Sequence, residues 1–258
     1  MRLSAVLITC NEEKKVGECL ESIAFADEIV VVDSGSHDRT SEIVKSRGAR
    51  FFTRILDDFA SQRNFALQQA AGDWILFIDA DERVSPQLRE QIQAAVSGDE
   101  GLHGYTLHRI NHIFGGPMRF GAHQSDRPMR LVRRGKGRWE GLVHERLVIE
   151  GPSGALNGEL KHVTYQSLEE YFSKFNLFTT LDAREMIRSG QPLPARWKTL
   201  LRPAAEFVYY YFLRQGFRDG WRGFQYQVLS SLYIFVKHVK AHELRREIEL
   251  KGPGAVVI

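Results

Sequence analysis

Gly72-Asp73-Trp74-Ile75-Leu76-Phe77-Ile78-Asp79-Ala80-Asp81-Glu82 sets a short apolar run directly before three carboxylates in four residues. The run from Trp74 to Ile78 has the length and composition of a buried strand. Carboxylates at the C-terminal end of a parallel strand lie where open α/β sheets bind ligands. An Asp-x-Asp pair there can hold one hard divalent cation through oxygen, and that cation can neutralise a diphosphate. The same residues also suit a polar loop that caps a helix before Ser85-Pro86.

The preceding residues repeat this strand-then-polar-turn pattern. Residues 3–9 read as a buried strand, followed by the turn Cys10-Asn11-Glu12-Glu13 and a helix over 14–23 with apolar positions at Val16, Cys19, Leu20 and Ile23. Residues 28–32 form a second strand ending at Asp33-Ser34-Gly35-Ser36, and residues 37–47 a helix capped by Ser36 or Asp38. A short strand over 50–53 and a helix over 59–71 complete the series. Such alternation predicts a parallel, doubly wound sheet with right-handed crossovers. Short β-type runs at 104–110, 129–133 and 147–149 predict an antiparallel extension walling one side of the site. From about Ser167 to Glu249 the pattern is helical, with breaks expected near 190–194, at Arg202-Pro203 and near 216–223. The expected domains are therefore 1–165, divided into halves 1–100 and 101–165, and a helical extension over 166–258.

Composition narrows the class. The chain has 258 residues, 43% hydrophobic and 26% charged, as in an ordinary globular protein. Cys10 and Cys19 make no disulfide framework and read as small apolar fillers in a reducing compartment. The first eight residues are too short for a signal-peptide core, and no apolar run approaches a membrane span, so a cytoplasmic or peripheral location is expected. Charge is uneven: residues 1–160 carry 20 basic and 23 acidic side chains, residues 161–258 carry 15 and 9. A basic tail on a slightly acidic body points to an anionic partner.

Four polar clusters fall at successive strand or helix boundaries: Thr9-Cys10-Asn11-Glu12, Asp33-Ser34-Gly35-Ser36, Arg63-Asn64 and Asp79-Ala80-Asp81. Singly each reads equally well as a cap or a solvated helix face. In their order and spacing they resemble glycosyltransferase family 2, inverting nucleotide-sugar-dependent enzymes of the GT-A fold, over residues 3–82. The resemblance implies a Rossmann-like GT-A sheet with an all-helical C-terminal extension, a UDP-sugar donor, and Mg²⁺ or Mn²⁺. It implies that Asp33 accepts from the uracil N3–H, and that Thr9, Asn11, Glu12, Ser34 and Ala80 line the nucleoside. Arg63 would then offset the diphosphate charge. Asp79 would face the ribose and metal shell, and Asp81 would bind the cation directly.

The segment Arg127-Pro128-Met129-Arg130-Leu131-Val132-Arg133-Arg134, followed by Trp139-Glu140-Gly141-Leu142-Val143-His144-Glu145, resembles a narrower branch, the lipopolysaccharide and lipooligosaccharide core β-1,4-glucosyltransferases. Inverting transfer needs a group to take the proton from the acceptor hydroxyl. By that analogy Glu145 is the candidate base, Glu140 its rival, and His144 a metal or diphosphate contact. An ion pair between Glu145 and a nearby arginine, with His144 in the core, is the structural alternative. The chain lacks the acidic pair of many relatives and the Gln/Arg-x-x-Arg-Trp motif of processive synthases, so one transfer per encounter is expected.

The tail concentrates aromatic residues: 11 of 28 lie between Pro203 and Phe235, with Arg202, Arg214, Arg218, Arg222, Lys237 and Lys240 beside them. Such helices suit an anionic membrane surface, or packing on the catalytic body or on another subunit. The resulting expectation is transfer of a sugar, glucose by the resemblance, from a UDP-sugar to a glycolipid or oligosaccharide acceptor such as the lipopolysaccharide core, without nucleic acid, and with a homo-oligomer left open. The rivals are a polyprenyl-phosphate glycosyltransferase, a metal-dependent nucleotidyltransferase, disfavoured because Thr9–Lys15 has no glycine, and a non-catalytic nucleotide-sugar-binding protein.

Overall fold

The computed structural model describes residues 1–98, 101–123, 126–141, 145–190 and 192–251. They fall into two compact units, Met1–Ile110 with Ser125–Val163, and Asn111–Gln124 with Thr164–Ile258.

The first unit opens with β1 (Leu3–Thr9), a nearly unbroken apolar run buried on both faces, as central parallel strands require. It is followed by α1 (Val16–Ser22), β2 (Glu28–Asp33), α2 (Thr40–Ser46), β3 (Arg50–Thr53), α3 (Phe59–Gln69) and β4 (Trp74–Phe77). β1 pairs in parallel with β2 and with β4, and β2 with β3, giving the expected parallel core in the order β3-β2-β1-β4. Strand alternation divides the interior. Ala5 and Leu7 face Val16, Leu20 and Val44 of α1 and α2, while Val6 and Val30 face Ala60 and Ala66 of α3. The crossovers thus cover both faces, and the C-terminal ends of β1, β2 and β4 open on one edge. Gly72 is required by contact: a Cβ there would lie 2.7 Å from the backbone nitrogen of Ser4.

The sheet continues with β5 (Glu82–Val84), α4 (Pro86–Ser97), β6 (Gly104–Ile113), β7 (Gly116–Met118), β8 (Met129–Arg133), β9 (Gly137–Glu140), β10 (Arg146–Ile149) and β11 (Ser153–Tyr165). Its full order is β3-β2-β1-β4-β8-β6-β11-β5, with β8 antiparallel to β4 and β6, and β11 antiparallel to β5. Two expectations are corrected here. Glu82 belongs to a strand, and the cap of α4 is Ser85, whose hydroxyl accepts from the Leu88 N–H at 3.2 Å. The run at 147–149 does not join the main sheet but forms a separate ribbon with β9.

Local chemistry explains two smaller shifts. The helix expected over 37–47 begins at Thr40, because the Asp38 carboxylate takes the N–H groups of Thr40 and Glu13 and keeps 37–39 in the loop. Cys19 fills the core as expected, whereas Cys10 is exposed in the turn beyond β1.

The second unit holds β7, paired with the end of β6, and three helices: α5 (Leu168–Arg188), α6 (Arg196–Val208) and α7 (Gly220–Lys251). A π-helical turn at Tyr209–Leu213 and a 3-10 turn at Gly216–Asp219 join the last two. The break expected at Arg202-Pro203 is absent: α6 runs through Pro203, which lines an apolar groove with Phe207, Val228 and Leu232. Packing outweighs the one backbone hydrogen bond that proline forfeits. On the α5 side, Lys240 donates to the Asn176 carbonyl and to the Thr179 and Thr180 hydroxyls, and Tyr233 donates to Asp182 at 3.0 Å. Among the described residues, no helix is long and apolar enough to cross a membrane.

Candidate active site

The loops after β1 and β2 are tied into one lattice. Asp33, 2% exposed, accepts from Thr9 Oγ1 at 2.9 Å, Gly35 N at 3.0 Å, Ser36 N at 2.7 Å and Ser36 Oγ at 2.6 Å. Those four donors match the roughly four lone-pair positions of a carboxylate, so Asp33 braces both loops, and a base N–H would have to replace one partner. Gly35 turns at φ 93°, a conformation that disfavours a side chain. Asn11, also left-handed at φ 55°, donates its N–H to Ser36 Oγ at 2.8 Å and accepts from His37 N at 2.9 Å. The Glu12 N–H donates to Thr40 Oγ1 at 2.8 Å, and Ser34 accepts at its hydroxyl from the buried Gln62.

Beside this lattice lies a network of interleaved charges. The first residues of α3 are held by Asp58, whose carboxylate accepts from Ser61 N at 2.8 Å, and this presents Arg63 and Asn64 on successive positions. Asn64 exchanges two 2.9 Å hydrogen bonds with the Trp139 backbone and so clamps α3 to β9. Arg63 lies 4.6 Å over the Trp139 ring and donates to Asp79 at 2.7 Å and to Glu145 at 3.3 Å. Arg130, 4% exposed, donates from one nitrogen to the other Asp79 oxygen at 2.6 Å and to Glu82 at 3.0 Å. Glu82 is fully buried, accepts from the Asp79 N–H at 2.9 Å, and also meets Arg109, which in turn grips Asp126 through two hydrogen bonds. Burial on its own would raise the Asp79 carboxyl, but the facing Arg130 and Arg63 guanidiniums hold it well below the usual carboxylate range.

The geometry thus brings Arg63, Asp79 and Glu145 together, and it separates the other candidates. The Asp81 carboxylate meets His162 Nε2 at 3.3 Å. Burial pushes Asp81 up, and the His162 hydrogen bond and charge, with Lys15, outweigh it, so the group ends below its ordinary value. Ala80 is buried, and its carbonyl accepts from Arg83 at 2.8 Å. Glu140 follows Trp139 on β9, so alternation turns it to the opposite face, where Arg138 donates to it at 2.6 Å. His144 lies outside the described residues.

The chain's residues 4–144 match the family model described as Glycosyl transferase family 2. The chain belongs to that family. A lipopolysaccharide core biosynthesis glycosyltransferase of Rhizobium meliloti, LpsC, is 34% identical over 249 residues, covering 93% of this chain and 92% of the relative. An uncharacterised glycosyltransferase of Rickettsia typhi is 25% identical over 276 residues, covering 99% and 90%. Glucosyl-3-phosphoglycerate synthase from Mycobacterium tuberculosis, solved with phosphoglyceric acid, aligns with a TM-score of 0.50 at 19% identity over 74% of this chain and 81% of that one. That likeness bears on the fold, an α/β GT-A sheet followed here by helices α5 to α7.

As a family 2 glycosyltransferase the chain carries its Asp-x-Asp segment in an unequal state. Both Asp79 oxygens are taken by arginines, and among the described residues no three His, Cys, Asp or Glu side chains converge on a metal position. Among the described candidates Asp81 could hold a Mg²⁺-like ion, which often takes one or two protein carboxylates and completes its shell with substrate phosphate and water. Several members of the network carried no local sequence signal. Arg109 and His162 come from distant strands, and His162 is brought to the site by its register opposite Glu82. Arg130 was visible only as one arginine in a basic run.

Arg130 is the cation on which this network rests. Replacing it with methionine leaves the half-buried Asp79 and the fully buried Glu82 with one guanidinium each, and removing one partner of a buried pair typically costs about 3–5 kcal/mol. Chemical denaturation of Arg130→Met should show a loss of that size. The pH dependence should move as well. A carboxyl held low in the fold lends stability above its unfolded value, and this is lost as pH falls through the folded one. Without Arg130 the folded value of Asp79 rises, so acid unfolding of the variant should begin at higher pH.

Proposed function

We propose that this protein is an inverting glycosyltransferase that moves a sugar, glucose by its likeness to the core glucosyltransferases, from a UDP-sugar to a glycolipid acceptor such as the lipopolysaccharide core. The observation that carries the reading is the bridge made by Arg63, which holds Asp79 of the Asp-x-Asp segment and Glu145 of the downstream loop on one guanidinium. The LpsC relative, matched over nearly its whole length, supports the acceptor class. In this reading the Asp33 lattice receives the uracil, Asn11 and Glu12 meet the ribose or base, and Arg63 faces the diphosphate. The acceptor hydroxyl attacks the anomeric carbon from the side opposite the diphosphate. Its proton passes to Glu145, and the electrons of the breaking C–O bond go to the diphosphate, so one displacement inverts the centre. A divalent ion held by Asp81 would supply charge neutralisation on the leaving diphosphate.

The acceptor places the work at the cytoplasmic face of a membrane. A polyprenyl-phosphate acceptor draws less support, because three of the four arginines of the 127–134 run are otherwise engaged. Arg130 faces Asp79 and Glu82, Arg133 lies over Trp74, and Arg127 donates to Asn157. Isothermal titration with UDP-glucose, UDP-galactose and GDP-mannose, each with and without Mn²⁺, tests the donor. UDP-glucose should bind most tightly and require the metal; GDP-mannose binding as well as either uridine sugar would overturn the assignment.

A further inference from the structure

We propose that α6 is the surface by which this protein docks on an anionic lipid bilayer, lying in the plane of the interface. The inference deepens the functional reading above by naming the surface and its partner, and it rests on that reading only for its purpose. A helix on a protein surface normally turns its apolar stripe inward. In α6 Pro203 and Phe207 turn to the groove with α7, but a larger apolar arc does the reverse. At about 100° per residue, Trp197, Leu200, Leu201, Ala204 and Val208 share one side of the helix. That side faces outward: Trp197 is 60% exposed, Leu200 66%, Leu201 60% and Val208 50%. Thr199, on the opposite side, is the buried residue of the helix. The apolar surface continues through the turn that follows, where Phe212 and Leu213 are exposed, and on to Trp221 at the start of α7.

An exposed apolar patch of this extent marks a binding surface. Its border identifies the partner. Arg196 flanks the apolar arc on one side, Lys198 and Arg202 on the other, and all three are exposed. The acidic residue of α6, Glu206, stands on the far side near Arg202, at 3.9 Å. Apolar side chains between cationic margins match a bilayer carrying anionic headgroups, with the rings and Leu side chains at acyl depth and the cations at headgroup depth. A second copy of the chain fits less well, since a two-fold contact through this face would bring two cationic margins together.

The test is sedimentation of the full chain with vesicles of phosphatidylcholine alone and of phosphatidylcholine with phosphatidylglycerol, at low and high salt. Binding should require the anionic lipid and weaken in salt, and Trp emission should shift to the blue. Trp197→Ser with Leu201→Ser, and separately Lys198→Glu with Arg202→Glu, should each lower the bound fraction on the order of tenfold. These side chains are exposed, so the melting temperature serves as the control for folding. Equal binding to neutral and anionic vesicles, or wild-type binding by the Trp197/Leu201 variant, overturns the proposal. So does a dimer, seen by sedimentation velocity, that these changes split without any vesicle binding. Donor titration on the same samples separates the two readings. Vesicle binding without UDP-sugar binding leaves the surface and removes the function, and the converse removes only the surface.

Discussion

Asp81→Asn should lower sugar transfer by roughly 10³-fold and leave the fold intact. The fold should survive because the main chain holds this position: the Asp81 carbonyl accepts from Val163 N at 2.8 Å, and an asparagine oxygen can still face His162. Activity should not, because asparagine carries no charge to bind a cation or to balance a diphosphate through one. The loss belongs in the rate of transfer and in the metal dependence of UDP binding, which should disappear together. Asp79→Asn should behave differently. Asp79 is committed to Arg63 and Arg130, so its replacement should reduce stability along with activity. Turnover, melting temperature and UDP titration with and without Mn²⁺ distinguish the two variants. Near-normal turnover by Asp81→Asn in the presence of EDTA would remove the Asp-x-Asp segment from the chemistry.

The two aspartates look alike in sequence, and that is where sequence reasoning reaches its limit. The apolar run before Asp79 announces a buried strand, because few other local structures keep four consecutive side chains from water, and β4 is buried throughout. Its parallel neighbours follow from repeated strand and helix periods of the right length. The polar turn at Asp33-Ser34-Gly35-Ser36 was legible as a turn, though not the hydrogen bonds that Thr9, Gly35 and Ser36 give to Asp33. Short polar residues that bond to nearby backbone leave a local pattern, and Gly35 marks a turn that side chains resist. What surrounds Asp79 is not local. Arg130 arrives on an antiparallel strand, Arg109 on the next, and His162 by the pairing of β11 with β5. A charged residue inside a strand reads as an outward-facing position unless its buried partner is known, and that partner lies 51 residues away for Arg130 and Asp79. The ribbon of β9 and β10 was half legible. The run at 147–149 reads as a strand, but neither its partner β9 nor their separation from the main sheet can be read, because a local pattern marks an extended segment without naming what it pairs with. The helical tail was legible as helix but not as surface, since periodicity gives an apolar side and leaves open which way it turns. In α6 it turns outward.

The base is the last assignment, and the geometry divides its candidates. Glu145 meets the guanidinium that also holds Asp79, whereas Glu140 points to the other face of β9 beside Arg138. Glu145→Gln keeps the shape and the hydrogen bond from Arg63 but removes the proton acceptor. The kcat should therefore fall by roughly 10²–10⁴ with little change in donor affinity, because the proton moves only as the acceptor attacks. Glu140→Gln should leave kcat within a few fold, since its partner is an exposed arginine and exposed ion pairs contribute little. The two variants are best read side by side in single-turnover assays, where product release cannot mask the chemical step. A large loss for Glu140→Gln with none for Glu145→Gln would exchange the roles. Normal rates in both would place the base on another residue, and would leave Arg63 and Glu145 as a structural ion pair between α3 and the residue that precedes β10.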